Sequence, residues 1–434
     1  MTDQERSGGD SGPPVARRLT TRETAERLGV KPETVYAYVS RGQLSSERAP
    51  GGRGSTFDAA EVDALARRTG RREPSPAAGD LVFRTAITLV EGDRYYFRGV
   101  DATELARRHS YEEVAEWLWT GELRPGIRFT APAEALDAAR RAVGALPAHS
   151  GSTDRLRVAV VAAAAADPLR FDLSPGAVLA GARNLIPTLV GALSAEGPGG
   201  GPDDDGDRGG GDGGGGSARR LWSSLTARPA DDASLAVLDT ALALLIDHDL
   251  AASTLAARVA ASARAHPYAV VSAGLGVLEG PLHGAASGLA HRMLAEVLER
   301  GGAAPVVSDH LRAGRGVPGL GHRLYTGEDP RARTLFDLLA RVPWAASALE
   351  AARDVVTTTA RHVPLHANVD LALAVLSVSA RMPAEAGETV FAVARTAGWI
   401  AHALEEYAER PLRMRPSGRY EGPRPPQPLP GPAP

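Results

Sequence analysis

Apolar residues recur every three or four positions over long stretches of this chain, which is the spacing of an amphipathic helix face. The clearest stripe lies within residues 234–246 and consists of four leucines, Leu235, Leu238, Leu242 and Leu245. The same spacing predicts three further helices, over Thr334–Leu339, Asp370–Ser379 and Val390–Glu406. Leu81–Val90 and Arg94–Arg98 have strand character and predict a small sheet. The chain is therefore expected to be mainly α.

Polar and glycine-rich segments interrupt this pattern and predict how the chain is divided. Residues 1–18 are predicted to form a disordered leader, and residues 71–79 have the composition of a linker. Residues 197–216 consist mostly of Gly and Asp and cannot bury enough apolar area to offset their ordering entropy, so we expect a flexible surface insertion. A compact block, residues 19–72, precedes the long helical part.

Composition excludes several classes of protein. The 434 residues contain no Cys, which rules out disulfide scaffolds, thiolate nucleophiles and Cys-ligated metal sites. The formal net charge of −3 is not typical of a chain that mainly binds polyanions. Without a signal peptide or an uncharged apolar run of about 20 residues, we expect a cytoplasmic protein with no membrane partner.

The block over residues 19–72 contains its own helix-start and turn residues. Thr20 or Thr21 is a candidate N-cap, Gly29 supplies a turn, and Pro32 suits the first position of a second helix. Leu44–Phe57 fits a β-hairpin, and a third helix follows Asp58. The block resembles the winged helix-turn-helix domains of the MerR and excisionase class.

This resemblance implies a set of residues that face DNA: Thr34, Tyr36, Tyr38, Arg41, Arg48 and Arg53. Exposed arginines at a helix end and on a wing suit phosphate contacts. However, the block has ten basic and seven acidic side chains, a modest surplus for a DNA-binding domain. Protein–protein contact, including a role as an oligomerisation handle, therefore stays open as an alternative.

Chemistry-bearing residues cluster beside glycines or helix starts in the long helical part. Five segments share this feature: Asp247–Thr254, Glu279–Ser287, Pro318–Arg331, Asn368–Asp370 and Arg395–His402. A single histidine in such a segment is more often structural than catalytic. Two further segments, Gly92–Leu105 and Tyr111–Leu123, precede them. In this order and spacing, the segments closely resemble the citrate synthase family over about residues 80–423.

The resemblance implies an acyltransferase that condenses acetyl-CoA with oxaloacetate and water to give citrate and CoA. This chemistry needs a base for a weakly acidic methyl group, a donor for the resulting enol and a group that polarises the acceptor ketone. By resemblance, Asp370 is the base, His283 stabilises the enol and His322 polarises the ketone. We expect His283 at a helix N-terminus, which disfavours its cationic form, and Asp370 to be partly desolvated by Val369 and Leu371.

The resemblance also implies a binding site for the dicarboxylate substrate. Its members are His248, Arg331, Arg395 and Arg415, and Arg415 is supplied by the neighbouring subunit of a homodimer. Arginine suits this role because its planar fork pairs a carboxylate through two hydrogen bonds. Gly319, Leu320 and Gly321 are expected beside the CoA cleft. Acetyl-CoA is a co-substrate, and neither a metal nor a permanently bound cofactor is implied.

Two positions depart from the family pattern. Ser287 stands where the pattern has Asn, and we expect it to affect the helix start or a hydrogen bond near the thioester while the reactive groups stay in place. Ser417 stands where the pattern has a second arginine, which is expected to weaken CoA or subunit contacts.

The predicted architecture is a two-domain citrate synthase-like fold after a small winged helix-turn-helix domain. The large domain is expected over residues 80–272 and 381–434, and the small domain over 273–380. Two other functions stay open. One is 2-methylcitrate synthesis from propionyl-CoA, which differs by a single methylene in a pocket. The other is a DNA-binding regulator that uses the synthase fold as a metabolite sensor.

Overall fold

The computed structural model of the chain describes eight segments, residues 18–28, 30–40, 42–48, 54–68, 83–193, 216–280, 283–414 and 421–422. The chain forms two compact units, residues 1–84 and 85–434, and each has its own hydrophobic core. The predicted leader up to residue 17, the linker over 71–79 and the insertion over 197–215 lie outside the described residues. The division of the second unit into a large and a small domain stays a prediction.

The described part of the first unit contains three helices and a small antiparallel sheet. Its elements are β1 (Arg18–Thr20), α1 (Thr21–Leu28), α2 (Pro32–Ser40), β2 (Glu47–Arg48), β3 (Ser55–Asp58) and α3 (Ala59–Arg68). The strand order is β1-β3-β2, with Leu19 opposite Phe57. Helices α1 and α2 form the predicted helix-turn-helix, and β2 and β3 form the predicted wing.

Short polar side chains begin these helices. The backbone N–H of Thr20 donates to Glu23 Oε2 at 2.7 Å, and the backbone N–H of Glu23 donates to Thr20 Oγ1 at 3.3 Å, which is a capping box. Asp58 Oδ1 accepts from the backbone N–H of Ala60 at 2.8 Å and so caps α3. Pro32 is the first residue of α2, as predicted.

The predicted DNA-facing residues differ in their exposure. Tyr36 is 50% exposed and Arg48 is exposed on β2, whereas Thr34 is half-buried. Tyr38 is only 7% exposed and packs in the core of this unit, so the prediction that it faces DNA is wrong. Its position three residues after the fully buried Val35 puts it on the buried face of α2. Arg41 and Arg53 lie outside the described residues.

The second unit starts with a three-stranded antiparallel sheet, β4 (Thr88–Glu91), β5 (Arg94–Phe97) and β6 (Val100–Asp101). The strand predicted over Leu81–Val90 is shorter than expected. Thr88 pairs with Phe97, after which Arg98 (φ +46°) and Gly99 (φ +81°) turn the chain away. Among the described residues before Thr88, 83–87, the ladder therefore ends with one further backbone bond, from the N–H of Arg98 to Ile87 O at 2.8 Å.

The remainder of the described second unit is helical. Its α-helices are α4 (Ala102–Arg108), α5 (Tyr111–Thr120), α6 (Ala133–Gly144), α7 (Ser152–Ala166), α8 (Pro175–Leu193), α9 (Ser217–Leu225), α10 (Asp232–Leu245), α11 (Ala252–Ser262), α12 (Pro267–Leu278), α13 (Ala286–Arg300), α14 (Ala303–Arg312), α15 (Pro330–Leu339), α16 (Ala346–Ala360), α17 (Val369–Ser379) and α18 (Ala386–Ala408). A 3-10 turn spans Pro343–Ala345. The four predicted helices correspond to α10, α15, α17 and α18, and the observed helices start one to four residues earlier.

Helix α18 runs through the core, and a glycine allows its closest approach. A Cβ on Gly398 would lie 2.0 Å from the carbonyl oxygen of Ile246. Because only glycine fits there, α18 packs directly against the C-terminal end of α10. The side chains of Arg395 and His402 are thereby brought beside the segment that follows α10.

Helix α8 has the length and apolar content of a membrane-spanning helix. Its mean hydropathy is 1.3, but 67% of that window is buried inside the protein. It carries Arg183, whose Nε and Nη2 donate to the buried Glu116 at 2.8 and 2.7 Å. Buried faces and an internal ion pair are typical of a core helix of a globular protein.

Candidate active site

The segment after α10 holds the first predicted site residue. Asp247 is fully buried and accepts from Thr88 Oγ1 at 2.5 Å, and its other oxygen lies 3.2 Å from His402 Nε2. His248 is 7% exposed, and its Nε2 lies 2.6 Å from the hydroxyl of Tyr325. Burial, with the nearby positive charges of Arg331 and Arg395, lowers the pKa of His248 well below its usual range. His248 is therefore a neutral hydrogen-bonding group at pH 7.

The glycines around Leu320 tie one loop to the start of α17. The backbone N–H of Asn368 donates to Gly319 O at 2.9 Å, and its side-chain amide donates to Gly321 O at 2.8 Å. Gly319 (φ +80°) and Gly321 (φ +78°) both have left-handed backbone that favours glycine. A Cβ on Gly319 would also lie 2.8 Å from Leu371 Cβ. These glycines hold His322 close to the helix that carries Asp370.

His322 is half-buried between polar groups. Both of its ring nitrogens face donors: Nδ1 accepts from the backbone N–H of Leu324 at 3.1 Å, and Nε2 faces the guanidinium of Arg331, which has no acceptor. Nε2 lies 3.2 Å from Arg331 Nη2, and the ring centroid lies 5.2 Å from that of His248. Burial and the charge of Arg331 lower the pKa of His322 to about 4. A neutral ring with a proton on Nε2 can donate a hydrogen bond to a carbonyl oxygen.

Arg331 is buried together with a carboxylate that orients it. Its Nε and Nη2 donate to Asp329 at 3.0 and 2.8 Å. Asp329 also accepts from the backbone N–H of Val369 at 3.0 Å, which links Arg331 to the start of α17. Burial is the largest single influence and lowers the pKa of Arg331, but the charge and the hydrogen bonds of Asp329, with the nearby Tyr325 and Tyr95, together raise this pKa above its usual value. Arg331 is therefore a permanently charged, fixed donor.

Arg395 is the second buried arginine, at 1% exposure on α18. Its Nε donates to Leu245 O at 3.0 Å, and its guanidinium lies 4.7 Å from the centre of the Phe391 ring. Its Nη1 is buried without a hydrogen-bond partner among the residues that the structure describes. Burial lowers the pKa of Arg395 to about 10, partly offset by Asp247. Because an unsatisfied buried donor costs about 1–3 kcal/mol, Nη1 favours an anionic ligand.

His283 lies in the turn before α13 rather than in the helix itself, which starts at Ala286. Its Nε2 lies 2.8 Å from Ser253 Oγ and accepts from the backbone N–H of Ser253 at 3.4 Å. The proton of a neutral ring is therefore on Nδ1. Burial, followed by the charge of Arg395, lowers the pKa of His283. The neutral form that we predicted thus has burial as its main cause, instead of a helix terminus.

Asp370 is in the first turn of α17, after the N-cap Asn368, whose side chain accepts from the backbone N–H of Asp370 at 3.0 Å. Burial raises the pKa of Asp370, in the direction expected for a desolvated carboxylate, while Ser287 and Arg331 act in the opposite direction. Ser287 Oγ donates to Asp370 Oδ1 at 2.5 Å. Ser287 therefore contacts the predicted base directly, and the expectation that the reactive groups stay in place remains a prediction.

Two arginines link these side chains electrostatically. The charge of Arg331 shifts the pKa values of His248, His322 and Asp370, and that of Arg395 shifts those of His248 and His283. The charge of Arg331 also lowers the pKa of Arg395, and both arginines lower that of His248. Asp329 pairs with Arg331, and Asp247 contacts His402 and lies near Arg395, so Asp370 is the carboxylate without an arginine partner of its own. Two buried arginines and neutral imidazoles beside this carboxylate suit a dianion that reacts next to a base. Arg415 and Ser417 lie outside the described residues.

Three residues of this site, Ser253, Tyr325 and Asp329, were not predicted to have a role. Asp329 had a usable signal, since Asp before Pro is typical of a helix N-cap and its side chain accepts from the backbone N–H of Arg331 at 3.0 Å. Ser253 and Tyr325 contact histidines 30 and 77 positions away. A single sequence gives no signal for such distant pairs. Among the described residues, no group of three or more His, Asp or Glu side chains could hold a metal ion.

Known proteins resemble this chain along most of its length. The sequence model of "Citrate synthase, C-terminal domain" matches residues 77–417, and that of "Helix-turn-helix domain" matches residues 18–70. Citrate synthase from Haloferax volcanii is 31% identical over 362 residues, which cover 79% of this chain and 94% of that protein.

Solved structures agree with this match. Citrate synthase from Thermotoga maritima has a TM-score of 0.62 at 25% identity, over 81% of this chain and 96% of that one. Citrate synthase from Thermoplasma acidophilum has a TM-score of 0.64 at 21% identity, over 81% and 96%, and it was solved as a ternary complex with carboxymethyl coenzyme A and oxaloacetate. The chain belongs to the citrate synthase family of acyltransferases and carries an N-terminal helix-turn-helix domain.

Proposed function

We propose that this chain condenses acetyl-CoA with oxaloacetate and water to give citrate and free CoA. The observation that carries the proposal is the pair of buried arginines, Arg331 and Arg395, whose charges reach Asp370 and all three site histidines. Arg395 Nη1 has no hydrogen-bond partner in the described part of the chain and would bind a substrate carboxylate. Arg331 would bind a carboxylate while Asp329 keeps it oriented.

Asp370 would act first, as the base that takes a proton from the methyl group of the thioester. Partial desolvation makes its carboxylate more basic than an exposed one. His283 would donate from Nδ1 to the enol oxygen that forms, because its Nε2 already accepts from the backbone of Ser253. Both groups act on the same thioester, one at the methyl group and one at the oxygen.

His322 would act on the second substrate. With Arg331 turned to a substrate carboxylate, a neutral ring protonated on Nε2 would hydrogen-bond the ketone oxygen of oxaloacetate and make the ketone carbon more electrophilic. The enol carbon would then attack that carbon. As the carbon–carbon bond forms, the ketone C=O π bond breaks, its oxygen takes the His322 proton, and the thioester C=O re-forms as the enol proton returns to His283. The proton that Asp370 removed would then restore His322 through solvent. Water hydrolyses the resulting citryl thioester and releases CoA. Closure of the cleft beside Gly319–Gly321 would exclude water until the enol has reacted.

The test is CoA release by the purified chain, with acetyl-CoA or propionyl-CoA, each with and without oxaloacetate. The proposal expects release with acetyl-CoA that depends on oxaloacetate and falls in Arg395→Gln. An arginine on the surface, Arg108 on α4, provides the matched control Arg108→Gln, which should keep full activity. Faster turnover with propionyl-CoA would favour 2-methylcitrate synthesis, and no release with either thioester would exclude both reactions.

We further propose that the active unit is a homodimer in which Arg415 completes the site of the partner subunit. Co-expression of Arg415→Gln and Asp370→Asn chains tests this arrangement. In a mixed dimer, one site combines an intact Asp370 with an intact Arg415 and should regain activity that each variant alone lacks. Mixed chains that stay as inactive as the separate variants would contradict the arrangement, provided that tagged co-purification shows that mixed dimers form.

The second candidate function is DNA binding by the first unit, with the synthase fold as a metabolite sensor. Two observations favour it, the half-exposed Tyr36 on α2 and the exposed Arg48 on the β2–β3 wing. The test is an electrophoretic shift with operator-sized DNA at low and high salt, with and without oxaloacetate and acetyl-CoA. Binding should weaken with salt and in Arg48→Ala. No shift at low salt would exclude the regulator and favour protein–protein contact.

A further inference from the structure

Ser287 is a buried hydroxyl that bonds directly to a reactive carboxylate. It is the second residue of α13 and is 3% exposed. Its Oγ donates to Asp370 Oδ1 at 2.5 Å, across a sequence separation of 83 residues. A charged acceptor and a short distance make this one of the strong hydrogen bonds of a protein.

Close packing of α13 against α18 fixes the Ser287 side chain. A Cβ on Gly387 would lie 2.6 Å from Ser287 Cβ, so only glycine at that position leaves room for the serine. The same Gly387 Cβ would lie 3.6 Å from Leu373 Cβ on α17. The close approach at Gly387 thus sets the position of Ser287 relative to α17, which carries Asp370.

The two oxygens of Asp370 have different surroundings. Oδ1 accepts from Ser287, whereas no hydrogen bond reaches Oδ2 from the residues that the structure describes. We propose that Ser287 is a positioning residue for the base: its hydroxyl anchors Oδ1 and leaves Oδ2 as the oxygen that takes the substrate proton. This inference rests on the proposed function, since it assumes that Asp370 removes the methyl proton.

The same bond also controls the ionisation of the base. Burial raises the pKa of Asp370, and the Ser287 hydroxyl is the largest influence that lowers it. The charged groups around Asp370 come from two other elements: Arg331 and Asp329 at the start of α15, and Glu388 on α18. Arg331 favours the carboxylate, while Asp329 and Glu388 oppose it. Removal of the hydroxyl therefore shifts the balance toward the protonated, inactive acid.

The experiment compares Ser287→Ala with Ser377→Ala in the full chain. Ser377 is a matched control because it is equally buried, lies on α17 and bonds His291 Nδ1 at 2.8 Å instead of Asp370. The measured quantities are kcat across pH 5–9, KM for oxaloacetate and the unfolding temperature. In Ser287→Ala, the acid limb of kcat should move up by about one to two pH units, the shift that corresponds to one charge-assisted hydrogen bond.

Three results identify a positioning role. In Ser287→Ala, the loss of kcat should be largest at low pH and shrink as pH rises. KM for oxaloacetate should stay within about twofold of the wild type. Ser287→Cys, whose thiol is a weaker donor, should shift the acid limb less than Ser287→Ala does. A pH profile of Ser287→Ala that overlays the wild type after scaling, or an equal shift in Ser377→Ala, would overturn the proposal. Asp370→Asn separates the two ideas: if it keeps wild-type activity, the assignment of the base fails, whereas an inactive Asp370→Asn with an unshifted Ser287→Ala rejects only the positioning role.

Discussion

Asp329 is expected to be the side chain on which the substrate site depends most for its stability. It is 1% exposed and accepts hydrogen bonds from the Arg331 side chain at 3.0 and 2.8 Å and from the backbone N–H of Val369 at 3.0 Å. Asp329→Asn removes the negative charge and leaves the buried Arg331 guanidinium uncompensated, near a second buried cation, Arg395. Breaking a buried pair in this way costs about 3–5 kcal/mol.

Helix α15, which Asp329 caps, offers a control in Asp337. Arg107 and Asp337 also form an ion pair, at 2.7 Å, but their side chains are 29% and 53% exposed. An exposed pair contributes at most about 1 kcal/mol, so Asp337→Asn should change stability little. Both variants replace an Asp on or next to α15 with Asn and remove one ion pair. The difference between them therefore measures the burial of the ion pair together with the backbone hydrogen bonds that Asp329 accepts from Arg331 and Val369.

Thermal unfolding and substrate kinetics measure the two consequences. Asp329→Asn should lower the unfolding temperature by about 5–10 °C, and Asp337→Asn by about 2 °C or less. Where Asp329→Asn stays folded, its kcat/KM for oxaloacetate should fall by about tenfold or more, because Arg331 loses the opposing charge and one of the two carboxylate oxygens that orient its guanidinium. Equal unfolding temperatures for the two variants would refute the reasoning.

Three further predictions concern the same site. Tyr325→Phe removes the hydroxyl that lies 2.6 Å from His248 Nε2, so KM for oxaloacetate should rise while kcat changes less; an unchanged KM would show that His248 needs no such partner. Gly319→Ala should lower the free energy of unfolding by about 1–3 kcal/mol in chemical denaturation, because strain at φ +80° is combined with a 2.8 Å clash. Gly321→Ala should cost less, since its Cβ would meet only the end of the Leu365 side chain at 3.4 Å. The reverse order would be evidence against the loop geometry. Folding lowers the pKa of His322 to about 4, so the unfolded chain binds more protons than the folded one below about pH 6.5. The unfolding temperature should therefore fall as pH drops from 6.5 to 4, and it should fall less steeply in His322→Gln. Parallel curves for the two proteins would contradict the burial assigned to His322.

Periodicity predicted most of the helices that carry the site. Leu238, Leu242 and Leu245 of the α10 stripe are fully buried and Leu235 is partly buried, while the apolar runs of α17 and α18 are buried as their spacing requires. Tyr38 follows the same helical spacing. It lies three residues after the buried Val35, which is the spacing of a core face, whereas the resemblance to DNA-binding domains suggested the surface. Local signals were therefore reliable where they were followed.

Contacts between distant parts of the chain could not be predicted in this way. Tyr325 reaches His248 over 77 positions, and Ser287 reaches Asp370 over 83. These pairs form because the glycines at 387 and 398 let α18 approach α13 and the end of α10 closely. A glycine in one sequence does not reveal which backbone or side chain it must admit. The identity of the reactive residues could be inferred, but the groups that hold them in place could not.

The most direct test of the account is the turnover of Asp370→Asn. Loss of a positioned base should lower kcat for CoA release from acetyl-CoA and oxaloacetate by about 10²–10⁴-fold. Binding of oxaloacetate, measured by calorimetry, should stay within about threefold of the wild type, because Arg331 and Arg395 are unchanged. A variant that folds normally and keeps wild-type kcat would contradict the central claim that the Asp370 carboxylate removes the proton.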